Sequence, residues 1–131
     1  PFNRDKTHDV QINGRFFSIW GLNIEQYLSQ PVRFSDWPIK EDFALACGLR
    51  RAGLDNVVSY QYSFDKMTGA NAAGGCSVYR TIENSNAESQ RLREAFPEYI
   101  TLRTKKCTNW GGEMKDREML EVKLHLKGYK K

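Results

Sequence analysis

A chain of 131 residues fits one domain, long enough to bury roughly two-thirds of its unfolded surface without covalent staples. Its 40% hydrophobic and 27% charged residues are the balance of a soluble globular protein, and no apolar run approaches the ~20 residues of a membrane span. Twenty Lys and Arg against sixteen Asp and Glu leave a net charge of +4, compatible with an anionic partner or with a solvated basic end.

The three cysteines, Cys47, Cys76 and Cys107, are odd in number and widely spaced. They read as reduced thiols of a cytoplasmic protein, neither a disulfide framework nor a zinc site. No signal-peptide pattern opens the chain, and Pro1 starts it amid polar loop chemistry, "PFNRDKTHD", as expected of a cut chain.

In chain order, "VQINGRFFSIW" alternates imperfectly and carries Asn13-Gly14, a turn signal leading into a strand at "RFFSIW". "GLNIEQYLSQ" places Leu22, Ile24, Tyr27 and Leu28 near helical spacing and stops before Pro31. The strongest helix follows Pro38, with Phe43, Ala46, Leu49 and Ala52 sharing a face. Gly53 stops it, with Arg50 and Arg51 at the negative end of the macrodipole.

"NVVSYQYSF" reads as a strand. "SNAESQRLREAF" offers Ser85 as N-cap with Glu88 three residues on, a capping box, and Pro97 as the stop. "EYITLRT" and "EMLEVKLHL" alternate as strands; in the second, Met119, Glu121, Lys123 and His125 lie opposite Leu120, Val122, Leu124 and Leu126. Mixed strands and helices without repeats predict an α/β or α+β domain.

Four places carry candidate chemistry. In "KEDF", Glu41 and Asp42 either complement the positive end of the helix dipole or supply a general base that takes a proton from an acceptor hydroxyl. In "GANAAGGCSVYRT", Gly74-Gly75 permits close backbone approach, and Tyr79 and Arg80 offer a stacking surface and a planar fork for phosphate; a plain surface turn is the alternative. "NRDKTHD" sets one histidine beside Asp5 and Asp9 with no second histidine at ligand spacing, which favours a solvated loop. "TNWGGEMKD" places Trp110 before two glycines, which hairpin geometry explains.

The order "WPIKEDFALACGLRRAGLDNVVSYQYSFD", "NAAGGCSVYRT", "AESQRLREAFPEYITLRTKKCTNWGG" resembles the distal half of the TET-associated glycosyltransferase family of phages and bacteria. "GGCSVYRT" is its most specific element, and the likeness runs over residues 3–131. The resemblance implies an α/β fold, a mixed sheet flanked by helices like the acceptor-side half of a GT-A enzyme. Residues 1–131 would then be one domain, the C-terminal part of a larger unit.

It also implies sugar transfer to hydroxymethylated pyrimidines in DNA, in bacterial or phage-infected cytoplasm. Asp42 would be the base and Glu41 its neighbour in the acidic pair. Asn3, Arg4, Gly74, Gly75, Cys76, Tyr79 and Arg80 would line the cleft, and Arg103, Lys105 and Lys106 would lie near DNA phosphate. A nucleotide-sugar donor and a divalent cation, Mn or Mg, are implied as cofactors, but the aspartate cluster that holds them belongs to the proximal half and is not in this sequence. The reading therefore needs a donor-binding half from another chain or from residues preceding Pro1. A non-catalytic nucleic-acid-binding or interaction module that keeps the same cleft is the competing expectation.

Overall fold

The computed structural model describes residues 10–15, 19–61, 81–107 and 117–126. Among them the chain is a small α/β fold of three helices and two separate two-stranded antiparallel sheets. The mixed α and β character expected from the sequence is present. The strands, however, pair as two ribbons and not as one mixed sheet among the described residues.

The first ribbon joins β1 (Val10–Ile12) to β2 (Val57–Ser59), with Ile12 opposite Val57. Asn13 ends β1 in the left-handed region at φ 55, the turn its sequence predicts, and its side chain and backbone tie it to Asp55 and Asn56. Ile19 and Trp20, the described end of "RFFSIW", are not in a strand, and residues 16–18 lie outside the described residues.

Helix α1 (Ile24–Ser29) is capped by Asn23, whose side chain accepts from the Gln26 N–H. At its other end Arg33 reaches back, donating to the carbonyls of Leu28 at 3.1 Å, Val32 at 3.1 Å and Gln30. The Leu28 and Gln30 carbonyls are among the orphan acceptors that every helix C-terminus leaves, and here a guanidinium serves them, while Val32 lies just beyond the helix.

Helix α2 (Glu41–Arg51) is the centre of the core: Phe43 through Leu49 are all buried, so the helix is covered on every side and not on one face alone. It closes in a Schellman turn, Leu54 N–H to Leu49 carbonyl at 2.9 Å and Gly53 N–H to Arg50 carbonyl at 3.1 Å, with Gly53 at φ 77. The stop predicted at Gly53 is where the helix stops.

Helix α3 (Ile82–Ala95) begins one turn earlier than the sequence suggests. Thr81 is the N-cap, its hydroxyl accepting from the Asn84 N–H at 3.1 Å. Ser85, the expected cap, is instead buried within the helix, on a stripe formed by Ile82, Ser85, Ser89, Leu92 and Phe96 at spacings of three and four. Small hydroxyl residues on that stripe let the helix lie close against β3 (Ile100–Lys106) and β4 (Glu118–Leu124), and the Ser89 hydroxyl is satisfied by the Ser85 carbonyl at 2.8 Å.

The second ribbon pairs β3 with β4 in the register Ile100 opposite Leu124, Arg103 opposite Glu121 and Lys106 opposite Glu118. Its inner face carries Ile100, Leu102, Val122 and Leu124 onto the core with Leu92, Phe96 and Leu126. Its outer face is polar, as period-2 alternation in an antiparallel sheet demands.

Candidate functional site

The acidic pair opens α2. Glu41 and Asp42 sit in its first turn, where the N–H groups are unpaired and the macrodipole favours negative charge. The residue before them, Lys40, is held at φ 66, ψ 23, a left-handed conformation that costs a non-glycine residue on the order of 1 kcal/mol. Its carbonyl still accepts from the N–H groups of Phe43 and Ala44, and its ammonium donates to Ser85 at 3.2 Å.

Asp42 is the better anchored of the two carboxylates. Its Oδ2 accepts from both Nε and Nη2 of Arg15 at 3.4 Å, and its side chain keeps 23% of its exposure. The Arg15 guanidinium also lies 4.3 Å from the centre of the buried Phe43 ring, so a cation–π contact fixes the group that holds the carboxylate. Among the described residues Glu41 makes no side-chain hydrogen bond or ion pair, although it too is only partly exposed.

Arg15 also forms one wall of an open hollow of about 340 Å³, lined with it by Gln11, Asn13, Leu124, His125 and Leu126. The hollow thus joins the first ribbon to the end of β4, and Arg15 links it to Asp42. On its rim His125 shares a hydrogen bond of 2.8 Å between Nε2 and the Thr101 hydroxyl. The sequence pattern placed His125 only on one face of an alternating strand and passed over Arg15, whose neighbourhood depends on packing across 27 residues of chain.

Of the three basic residues expected near phosphate, the structure brings two together. Arg103 and Lys105 project from the outer face of β3, half-exposed, and both pair with Glu121 on β4, Lys105 at 2.6 Å. Hydrogen bonds from Lys105 and then Arg103 hold the Glu121 carboxyl below its ordinary value. Lys106, next in sequence, falls on the opposite face by strand alternation, across from Glu118. Lys123 takes its place on the outer face, opposite Thr101 and diagonal to Arg103.

Asn3, Arg4, Gly74, Gly75, Cys76, Tyr79 and Arg80 lie outside the described residues, as do Asp5, Asp9 and the Trp110 turn. Cys47 and Cys107 are free and buried. Burial pushes the Cys47 thiol up to about 12, with the Glu98 charge adding to the effect and Arg51 opposing it. Such a thiol is inert.

Among the described residues no three His, Cys, Asp or Glu side chains are grouped to hold a metal ion, and no helix is long and apolar enough to cross a membrane. Comparison with protein-family models, with curated proteins and with solved structures finds no match.

Proposed function

We propose that this chain is the acceptor-side part of a nucleotide-sugar-dependent glycosyltransferase acting on hydroxymethylated pyrimidines in DNA, with Asp42 as its base. The observation that carries the reading is the state of Asp42: a partly exposed carboxylate at a helix N-terminus, held through one oxygen by an arginine that also walls an open hollow. The strained Lys40 immediately before it supports the same reading, because backbone in sparsely populated regions clusters at functional sites.

In this reading Asp42 takes the proton of the acceptor hydroxyl as its oxygen bonds to the anomeric carbon, and the nucleotide departs with the electron pair of the broken glycosidic bond. Arg15 is a positioning residue that orients the carboxylate. In this reading the divalent cation and the donor would be held by the donor-binding half.

Incubating the chain, with and without a polypeptide carrying the donor-binding half, with a panel of nucleotide-sugars and DNA containing 5-hydroxymethylcytosine or 5-hydroxymethyluracil tests this directly. A hexose- or pentose-sized mass gain on the digested nucleosides is the expected result. Absence of any gain with both halves present overturns it. A second reading, a nucleic-acid-binding module without transfer, is favoured by the basic outer face of the β3–β4 ribbon.

A further inference from the structure

We infer that the outer face of the β3–β4 ribbon is a docking surface for the phosphate backbone of duplex DNA, with Arg103, Lys105 and Lys123 as the gripping cations and Glu121 as a counter-charge that holds two of them in place. The inference rests on the nucleic-acid partner common to both readings above, but not on sugar transfer.

The geometry points there in three ways. Arg103 and Lys105 are two residues apart on one strand, so they leave the same face about 6.7 Å apart along it. Lys123 joins them from β4 at the diagonal position set by the register. Among the described residues it makes no ion pair, and it is exposed. The three cations therefore form a patch on a ribbon whose two strands pair along their whole length, so their backbones are already ordered when a ligand arrives.

Among the described residues the anion inside this patch is Glu121, and it is engaged by both Arg103 and Lys105. Ion pairs at this degree of exposure are weak, so a phosphate backbone competes with them readily. Three positive charges against one negative leave the face with a net charge of about +2 by counting these four side chains. Thr101 and His125, adjacent on the same face, add a hydroxyl and an imidazole able to reach phosphate or sugar oxygens.

The alternatives elsewhere are weaker. The hollow beside Arg15 belongs to the site already described, and the apolar outer face of the first ribbon, Val10, Ile12 and Val57, has nothing to identify its partner. Charge complementarity identifies a polyanion on β3–β4, and the DNA partner of the readings above supplies one in the phosphate backbone of a duplex.

Fluorescence anisotropy of a labelled 20-base-pair duplex, titrated with the full chain at several salt concentrations, tests the inference. Each phosphate neutralised contributes about 0.9 to the slope of log affinity against log salt, so three contacts cost about 40-fold in affinity between 50 and 200 mM. Replacing Arg103, Lys105 and Lys123 together by Ala should weaken binding at 50 mM and flatten the slope by between two and three. Lys106→Ala, on the opposite face, should leave both nearly unchanged.

Glu121→Gln gives the sharper result, because it removes charge without removing volume: affinity for the duplex should rise several-fold. Thermal melts of each variant separate lost binding from lost folding. Unchanged duplex binding in the folded triple variant overturns the inference, as does weaker binding in Glu121→Gln or binding to phosphatidylserine vesicles in preference to DNA. If duplex binding follows the prediction while no sugar is transferred, the docking surface stands and the transferase reading fails. If sugar is transferred at the same rate by the triple variant, the reverse holds.

Discussion

Gly48 lies in the middle of α2, where alanine would ordinarily be the better helix former by about 0.5–1 kcal/mol. Here the opposite sign is expected. A Cβ added at Gly48 would stand 2.6 Å from Gln30 Oε1, 2.7 Å from Val32 Cγ2 and 3.0 Å from Val32 Cβ. The amide of Gln30 cannot swing away without loss: it is 1% exposed, its Oε1 accepts from the Val32 N–H at 2.9 Å, and its Nε2 donates to the Val32 carbonyl at 2.5 Å.

Overpacking of this kind costs about 1–3 kcal/mol, and disturbing the buried amide adds roughly 0.5–1.5 kcal/mol for each hydrogen bond lost. Set against the helix gain, Gly48→Ala should destabilise the domain by about 1–3 kcal/mol. Denaturant unfolding monitored by far-UV circular dichroism measures it as a lowered midpoint at unchanged slope. Val32→Ala should recover part of the loss, since it removes one of the two colliding groups, and a double-mutant cycle would report that coupling. A Gly48→Ala variant as stable as the wild type, or more so, refutes the close approach of residues 30–32 to α2.

Further outcomes follow from individual side chains. Arg33→Ala should cost about 1–2 kcal/mol, because it strips the carbonyls at the end of α1 of charged donors, and Arg33→Lys should not fully restore them, a point charge being unable to fork between carbonyls; thermal unfolding checks both. In the native state at pH 8 a thiol reagent should leave Cys47 and Cys107 unlabelled by peptide mapping, and denaturation should open both; prompt native labelling of Cys47 would contradict its burial. Among the carboxylates held below their ordinary range are Glu98, where burial acts upward but its own backbone N–H and Arg51 prevail, and Glu121, through Lys105 and Arg103. Their stabilisation is present above the unfolded carboxylate value and lost as pH falls through the lowered native one, about 0.2–1 kcal/mol for each exposed pair. Denaturant midpoints between about pH 5 and pH 3 should therefore decline less steeply in Glu121→Gln than in the wild type.

Local signals were legible in the sequence wherever one residue decides the geometry. Gly53 ends α2 because φ 77 suits glycine, Asn13 turns β1 because a short amide side chain tolerates φ 55, and the alternation of "EMLEVKLHL" places Glu121, Lys123 and His125 on one face. Ser85 was misread because a serine before a helical pattern is a cap by local chemistry, whereas here it lies on a buried stripe that only tertiary packing against β3 and β4 reveals. Glycine inside the α2 pattern was the available sign of a close backbone approach, and Gly48 went unused.

The candidate site divides in the same way. Glu41 and Asp42 are conspicuous in sequence as an acidic pair opening a helix, but Arg15 and Phe43, which hold Asp42, come together only through packing across the chain. Lys105 and Lys106 look like one basic cluster when read as letters. The pleat sends them to opposite faces, and the register substitutes Lys123, a residue that no local pattern links to Arg103.

The transferase reading stands or falls on Asp42. With the donor-binding half supplied, sugar transfer to hydroxymethylated DNA should be compared between wild type, Asp42→Asn and Glu41→Gln, each confirmed folded by its melting curve. Loss of a general base predicts a fall in kcat of about 10²–10⁴-fold for Asp42→Asn, with Glu41→Gln within several-fold of the wild type. Full activity in Asp42→Asn, or a larger loss in Glu41→Gln, would contradict the assignment.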